Sequence, residues 1–110
     1  MGVNTILTHS GRGDQSVEVR SVNPVVMRAS TILFKDYDTW QKYRKHRATD
    51  RVHSYGARGT TTNFELEKLV CELEGGYRAQ LFPTGLAALA MVLLNYAEAG
   101  AHFIVSDAIY

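Results

Sequence analysis

The stretch AQLFPTGLAALAMVLLNYA, residues 79–97, followed by HFIVS at residues 102–106, decides how this chain is read. Ala79 to Phe82 has the length and apolar content of a short strand, and Pro83-Thr84-Gly85 breaks it. From about Leu86 a nearly all-apolar run of good helix formers continues toward Gly100, which predicts a helix buried on most sides. His102 to Ser106 reads as a second short strand. Strand, helix, strand in that order predicts a right-handed crossover in a parallel sheet, so the expected fold class is α/β. Two strands alone leave both sheet edges and much of the helix uncovered, so further residues are expected beyond Tyr110.

Upstream, Thr62-Asn63-Phe64-Glu65 fits a capping box, and a helix is expected to start there. Leu66, Leu69, Val70 and Leu73 follow at i, i+3, i+4 and i+7, an apolar stripe set against Glu65, Glu67, Lys68 and Glu72 on the surface. Gly75-Gly76 ends that helix. Residues 54–62, SYGARGTTT, combine small residues, glycines and one arginine and read as a loop. DTWQKYRKHR, residues 38–47, predicts a short polar surface helix with Trp40 and Tyr43 three apart on one face. Residues 1–35 hold one apolar-rich stretch, Val25 to Phe34, with turn chemistry at Gly11-Arg12-Gly13-Asp14 and another break at Asn23-Pro24 before it. They read as an arm that needs another surface to lie on, either further chain or a neighbouring subunit. The expected division is residues 1–60 as arm and interface loop, and 61–110 as the start of a larger domain.

With 45% hydrophobic and 21% charged residues the chain sits in the globular range, and a formal net charge of +1 gives no general attraction to nucleic acid or acidic membranes. The cluster Lys42, Arg44, Lys45, His46, Arg47 and Arg51 beside Trp40 and Tyr43 reads as a solvated helix face rather than a nucleic-acid surface. A lone Cys71 forms no intramolecular disulfide and reads as a packing residue, while His9, His46, His53 and His102 have no metal-ligand spacing. The first ten residues lack signal-peptide order and no apolar run approaches membrane-spanning length, so a soluble, cytoplasmic protein is expected.

Two places carry candidate chemistry. The turn Phe82-Pro83-Thr84-Gly85-Leu86 opens a helix, where unpaired first-turn amides and the helix dipole suit an anion such as phosphate. The loop Tyr55-Gly56-Ala57-Arg58-Gly59 brings together a phenol and a guanidinium, both donors to phosphate oxygens. Taken alone, each reads first as a plain structural feature, a capped turn and a solvated loop.

Together, YGARGTTTNFELEKLVCELEGG, LFPTGLAALA and HFIVSDAIY resemble the amino-terminal part of the large domain in the cystathionine-metabolising lyases and synthases that use pyridoxal 5'-phosphate. TILTHSGR and NPVVMRASTILF are similar to that family's amino-terminal arm, so the likeness covers nearly the whole chain. It implies a fold-type I, aspartate-aminotransferase-like domain, present here in part. It implies pyridoxal phosphate as cofactor, with its phosphate held by the backbone amides of Gly85 and Leu86 and its ring stacked on Tyr110. Tyr55 matches a tyrosine that reaches the phosphate in a neighbouring subunit's site, which implies a homo-oligomer, a dimer of dimers in the family.

The family usually carries an arginine two residues after that tyrosine, where this chain has Ala57. Arg58 either fills the role from one position later or matches a second, neighbouring arginine found in some β-lyases. Thr60-Thr61-Thr62 stands where many relatives have Asn-Pro-Thr, a substitution the β-lyase branch tolerates. The Schiff-base lysine, the acid at the pyridine nitrogen and the arginine for the substrate carboxylate lie beyond residue 110 in the family. Lys35, Lys42, Lys45 and Lys68 read as solvated charges, so no catalytic residue is expected within the chain and residues 1–110 alone are expected to be inactive. The activity implied for the whole protein is carbon–sulfur bond elimination from cystathionine, giving homocysteine, pyruvate and ammonia in methionine biosynthesis. γ-Synthase or γ-lyase chemistry, or a non-catalytic truncated product, are the alternatives.

Overall fold

A computed structural model describes residues 2–12, 18–19 and 21–109. They form four α-helices: α1 (Val3–His9), α2 (Tyr37–His46), α3 (Thr61–Glu74) and α4 (Gly85–Tyr96), with a single 3-10 turn at Gly56–Arg58. The chain divides into two compact units, residues 1–80 and 81–110.

In the first unit, α1 packs against α3. α1 lies where only an arm was expected, although Val3, Ile6 and Leu7 have the i, i+3, i+4 spacing that a helix needs. α2 starts at the N-cap Asp36, whose carboxylate accepts from Thr39 N at 2.7 Å. That bond, through both its side-chain and backbone partners on Thr39, holds the exposed Asp36 carboxyl below its usual range. Trp40 stacks on Tyr37 at 5.4 Å, Arg44 lies over the Trp40 ring, and Tyr43 meets Phe34 edge-on. The expected aromatic face is therefore present: Tyr43 packs α2 on Phe34, while Tyr37 stays largely exposed.

α3 begins two residues before the expected box. Thr60 is the N-cap and Asn63 Oδ1 accepts from Thr60 N at 3.0 Å. The reason is visible at Thr62, whose hydroxyl is committed elsewhere: it accepts from Met27 N at 2.7 Å and donates to Val25 O at 3.1 Å. Thr60 Oγ1 donates to Met27 O at 2.9 Å. Two threonine hydroxyls thus stand in for the partner strand that arm residues 25–27 lack. α3 ends as expected, on Gly75 in the left-handed region (φ 63°), with the Gly75 and Gly76 amides on Cys71 O.

Among the described residues no apolar side chain is fully buried; the buried ones are Thr60 and Glu67, at 4% and 5% exposure. Glu67, expected on the surface, is a correction to the simple stripe. It pairs with Arg51 (Nε to Oε2, 2.5 Å), whose guanidinium also donates to Ala79 O. That pair ties the chain after α2 to α3 and to residue 79. A helical wheel counts only the apolar stripe and misses a carboxylate brought inside by a distant cation.

The α/β expectation is not met by the described residues, which hold helices and no strand. Ala79–Phe82 and His102–Ser106 are irregular, because a strand exists only where a neighbour accepts its hydrogen bonds, and local apolar content cannot supply one. The helix expected from Leu86 is present as α4, but it stops at Tyr96, and the expectation of burial on most sides fails. Leu86, Val92, Leu94 and Tyr96 are 78%, 58%, 67% and 71% exposed.

Candidate functional site: a helix start and a clasped tyrosine loop

In the second unit, Thr84 caps α4, with its side chain accepting from Ala87 N at 3.0 Å. Ala88 N bonds back to Thr84 O. The amides of Gly85 and Leu86, in the first turn, have no intrahelical acceptor and add to the positive end of the helix dipole. A Cβ added at Gly85 would meet nothing within 4 Å, so the backbone is approachable there. The helix start expected at this turn is therefore present, capped by Thr84. Tyr110, the expected ring partner, lies outside the described residues, as do Gly13 and Asp14 of the expected turn.

In the first unit, the Tyr55 loop is held by the arm. Gly56 N donates to Ser30 O at 2.6 Å, and Ser30 Oγ donates to the Tyr55 hydroxyl at 3.3 Å. A Cβ at Gly56 would sit 1.7 Å from Ala29 O, so only glycine allows the arm to lie this close. Tyr55 itself is 49% exposed.

Arg58 is exposed and makes a hydrogen bond to the end of α2. Its guanidinium donates to Arg47 O, the C-cap of α2, at 3.2 Å, where a cation meets the negative end of the helix dipole. Arg78 caps the following turn in the same way, on Thr49 O at 2.7 Å. Ala57, exposed, offers no cation in its place. Sequence reasoning missed Ser30, which carries no motif of its own. Its one legible signal is a small hydroxyl residue in the arm stretch that was expected to need a surface.

The described residues contain no cluster of three or more His, Cys, Asp or Glu able to hold a metal. None of their helices is long and apolar enough to cross a membrane.

The capped helix start and the tyrosine loop held by the amino-terminal arm are the two local structures that the candidate residues form. Residues 4–110 match the family described as Cys/Met metabolism PLP-dependent enzyme, and the chain belongs to that family. The chain is 39% identical over 108 residues to cystathionine beta-lyase of Haemophilus influenzae, covering 98% of this chain and 27% of that protein. It is 36% identical, with the same coverage, to cystathionine beta-lyase MetC of Escherichia coli. An L-alanine/L-glutamate racemase of Wolbachia pipientis is 32% identical over 118 residues, all of this chain and 29% of that protein. The chain thus spans about a quarter of the length of the curated relatives it matches. Family membership carries the fold-type I class, even though the described residues form no sheet.

Proposed function

We propose that this chain is the amino-terminal part of a pyridoxal-phosphate-dependent cystathionine β-lyase, which cleaves cystathionine to homocysteine, pyruvate and ammonia. The observation that carries this reading is the unbroken match of 98% of the chain to cystathionine beta-lyases at 36% and 39% identity. Local geometry supports it at α4, whose free Gly85 and Leu86 amides fit the phosphate of the cofactor. Tyr110 would stack on the pyridine ring and keep water from its face. When bound, pyridoxal phosphate supplies an electron sink for negative charge developing at the substrate Cα.

Tyr55 would donate to the phosphate held by a neighbouring subunit, which makes the working protein a homo-oligomer. One nitrogen of the exposed Arg58 guanidinium donates to Arg47 O, which leaves its other donors for a phosphate contact from one position after the usual family arginine; Ala57 itself supplies none. This chain's own contribution is to hold the phosphate end of the cofactor; the reacting groups belong to other parts of the protein.

A second reading, amino-acid racemisation, is favoured by the Wolbachia match, which covers the whole chain. Both chemistries begin at Cα and differ in what leaves, so a phosphate-holding segment serves either. Purified intact protein loaded with pyridoxal phosphate separates them. Pyruvate formation from cystathionine, with no racemisation of L-alanine, is the expected result; racemisation without pyruvate would overturn the lyase reading.

A further inference from the structure

The arm segment 25–30 is fixed in register along its whole length. Val25 O and Met27 N share the Thr62 hydroxyl, Met27 O takes the Thr60 hydroxyl, and Ser30 O takes the Gly56 amide. Ala29 O fills the space where any other residue at position 56 would carry a Cβ. These fixed points deliver one side chain, Ser30, to the Tyr55 hydroxyl.

The direction of that bond matters. A phenol has one proton to donate and lone pairs to accept with. Ser30 Oγ lies 3.3 Å from Tyr55 Oη; when the serine donates, the phenol's acceptor side is occupied and its own proton is left for a different partner. A donor into the phenol oxygen also polarises its O–H bond, so the onward hydrogen bond to an anion is strengthened. Ser30 needs no contact with the anion to do this.

We propose that Ser30 is a positioning residue for Tyr55: the clasped arm presents its hydroxyl to the phenol oxygen, so that the Tyr55 proton points to an anionic phosphate ligand. This rests on the reading of Tyr55 as a phosphate donor. It adds a role for the arm beyond packing, because the threonine clasp and Gly56 set the position of Ser30 and so act on the ligand through two intervening groups.

The test is a double-mutant cycle on the intact protein, reading pyridoxal phosphate affinity by equilibrium titration, with amide exchange at Gly56 reporting whether the arm stays docked. Tyr55→Phe is expected to weaken affinity roughly tenfold, the loss of one hydrogen bond to a charged group. Ser30→Ala is expected to weaken it about threefold with Gly56 exchange unchanged, and Ser30→Thr to restore it. In the Tyr55→Phe background, Ser30→Ala should have no further effect. An equal loss from Ser30→Ala in both backgrounds, or none beside an intact Tyr55, overturns the positioning role while the phosphate reading stands. A Tyr55→Phe protein that binds as tightly as the parent overturns the phosphate reading itself, and the positioning role with it.

Discussion

Residues 1–80 and residues 81–110 are held together by different means. Among the described residues of the first unit the buried side chains are polar, Thr60 and Glu67, and arm, loop and helix meet through hydroxyls, a buried ion pair and a glycine close approach. In the second, a helix with apolar residues around its whole circumference carries Leu86, Val92, Leu94 and Tyr96 largely exposed. Polar links are directional and can fix the register of a short segment without a large core. Apolar surface has no such direction; it gains only when something covers it. The first unit therefore has directional links that fix its register, while α4 keeps much of its apolar surface exposed.

The sharpest way to break this contrast is Gly56→Ala. With Ala29 O standing where the Cβ must go, the substitution is expected to destabilise arm docking by about 3 kcal/mol, at the upper end of overpacking costs. Limited trypsin digestion would read it as faster cleavage at the exposed Arg28. Unchanged cleavage would mean that the arm is not clasped as described.

Next in size is Glu67→Ala in the intact protein, expected to lower unfolding free energy by about 2–3 kcal/mol because Arg51 loses its buried partner while remaining partly screened by solvent. Denaturant titration measures it. Glu74→Ala, at an exposed position on the same helix and without this ion pair, provides the surface comparison and should change stability by less than about 0.5 kcal/mol.

The second unit is tested by association. A polypeptide of residues 1–110 is expected to self-associate, lack cystathionine lyase activity, and become more monomeric when Val92 and Leu94 are both changed to Lys. Light scattering decides the first and last points. A monodisperse, cooperatively unfolding monomer without those changes would show that α4 needs no cover.

The smallest expected effect is at Asp36. Its folded pKa is depressed by the Thr39 bonds, so the capping contribution is present above the unfolded carboxylate pKa and is lost as pH falls through the folded value. Helicity should therefore decline on acidification below the ordinary carboxylate range. In Asp36→Ala that part of the decline should disappear, as followed by far-ultraviolet circular dichroism.

How much of this was legible beforehand depended on the range of the interactions. α2, the end of α3 at Gly75, and α4 with its Thr84 cap follow from local spacing and turn residues, and the sequence reading located them. The start of α3 was misplaced by two residues because Thr62 spends its hydroxyl on residues 25 and 27, a contact that no local pattern announces. Glu67 was assigned to the surface because Arg51 approaches it from another part of the chain. The strands expected at residues 79–82 and 102–106 failed for the same reason in reverse, since strand formation is decided by a neighbour. At the candidate site, the helix start at Gly85 and Leu86 and the turn after Tyr55 were readable as local structures from their motifs. The bond from Arg58 to the α2 carboxyl end depended on where α2 would finish in space.

The most direct measurement concerns the phosphate site at α4. Gly85→Pro removes one first-turn amide, while proline suits the first position of a helix and Thr84 is already in the extended conformation that a following proline requires. Gly85→Ala keeps the amide and adds a methyl into open space. Pyridoxal phosphate affinity of the intact protein should fall by roughly one to two orders of magnitude in Gly85→Pro and change little in Gly85→Ala, as expected for losing one charge-assisted hydrogen bond. Equal affinity in the two variants would contradict the assignment of this helix start as the phosphate holder.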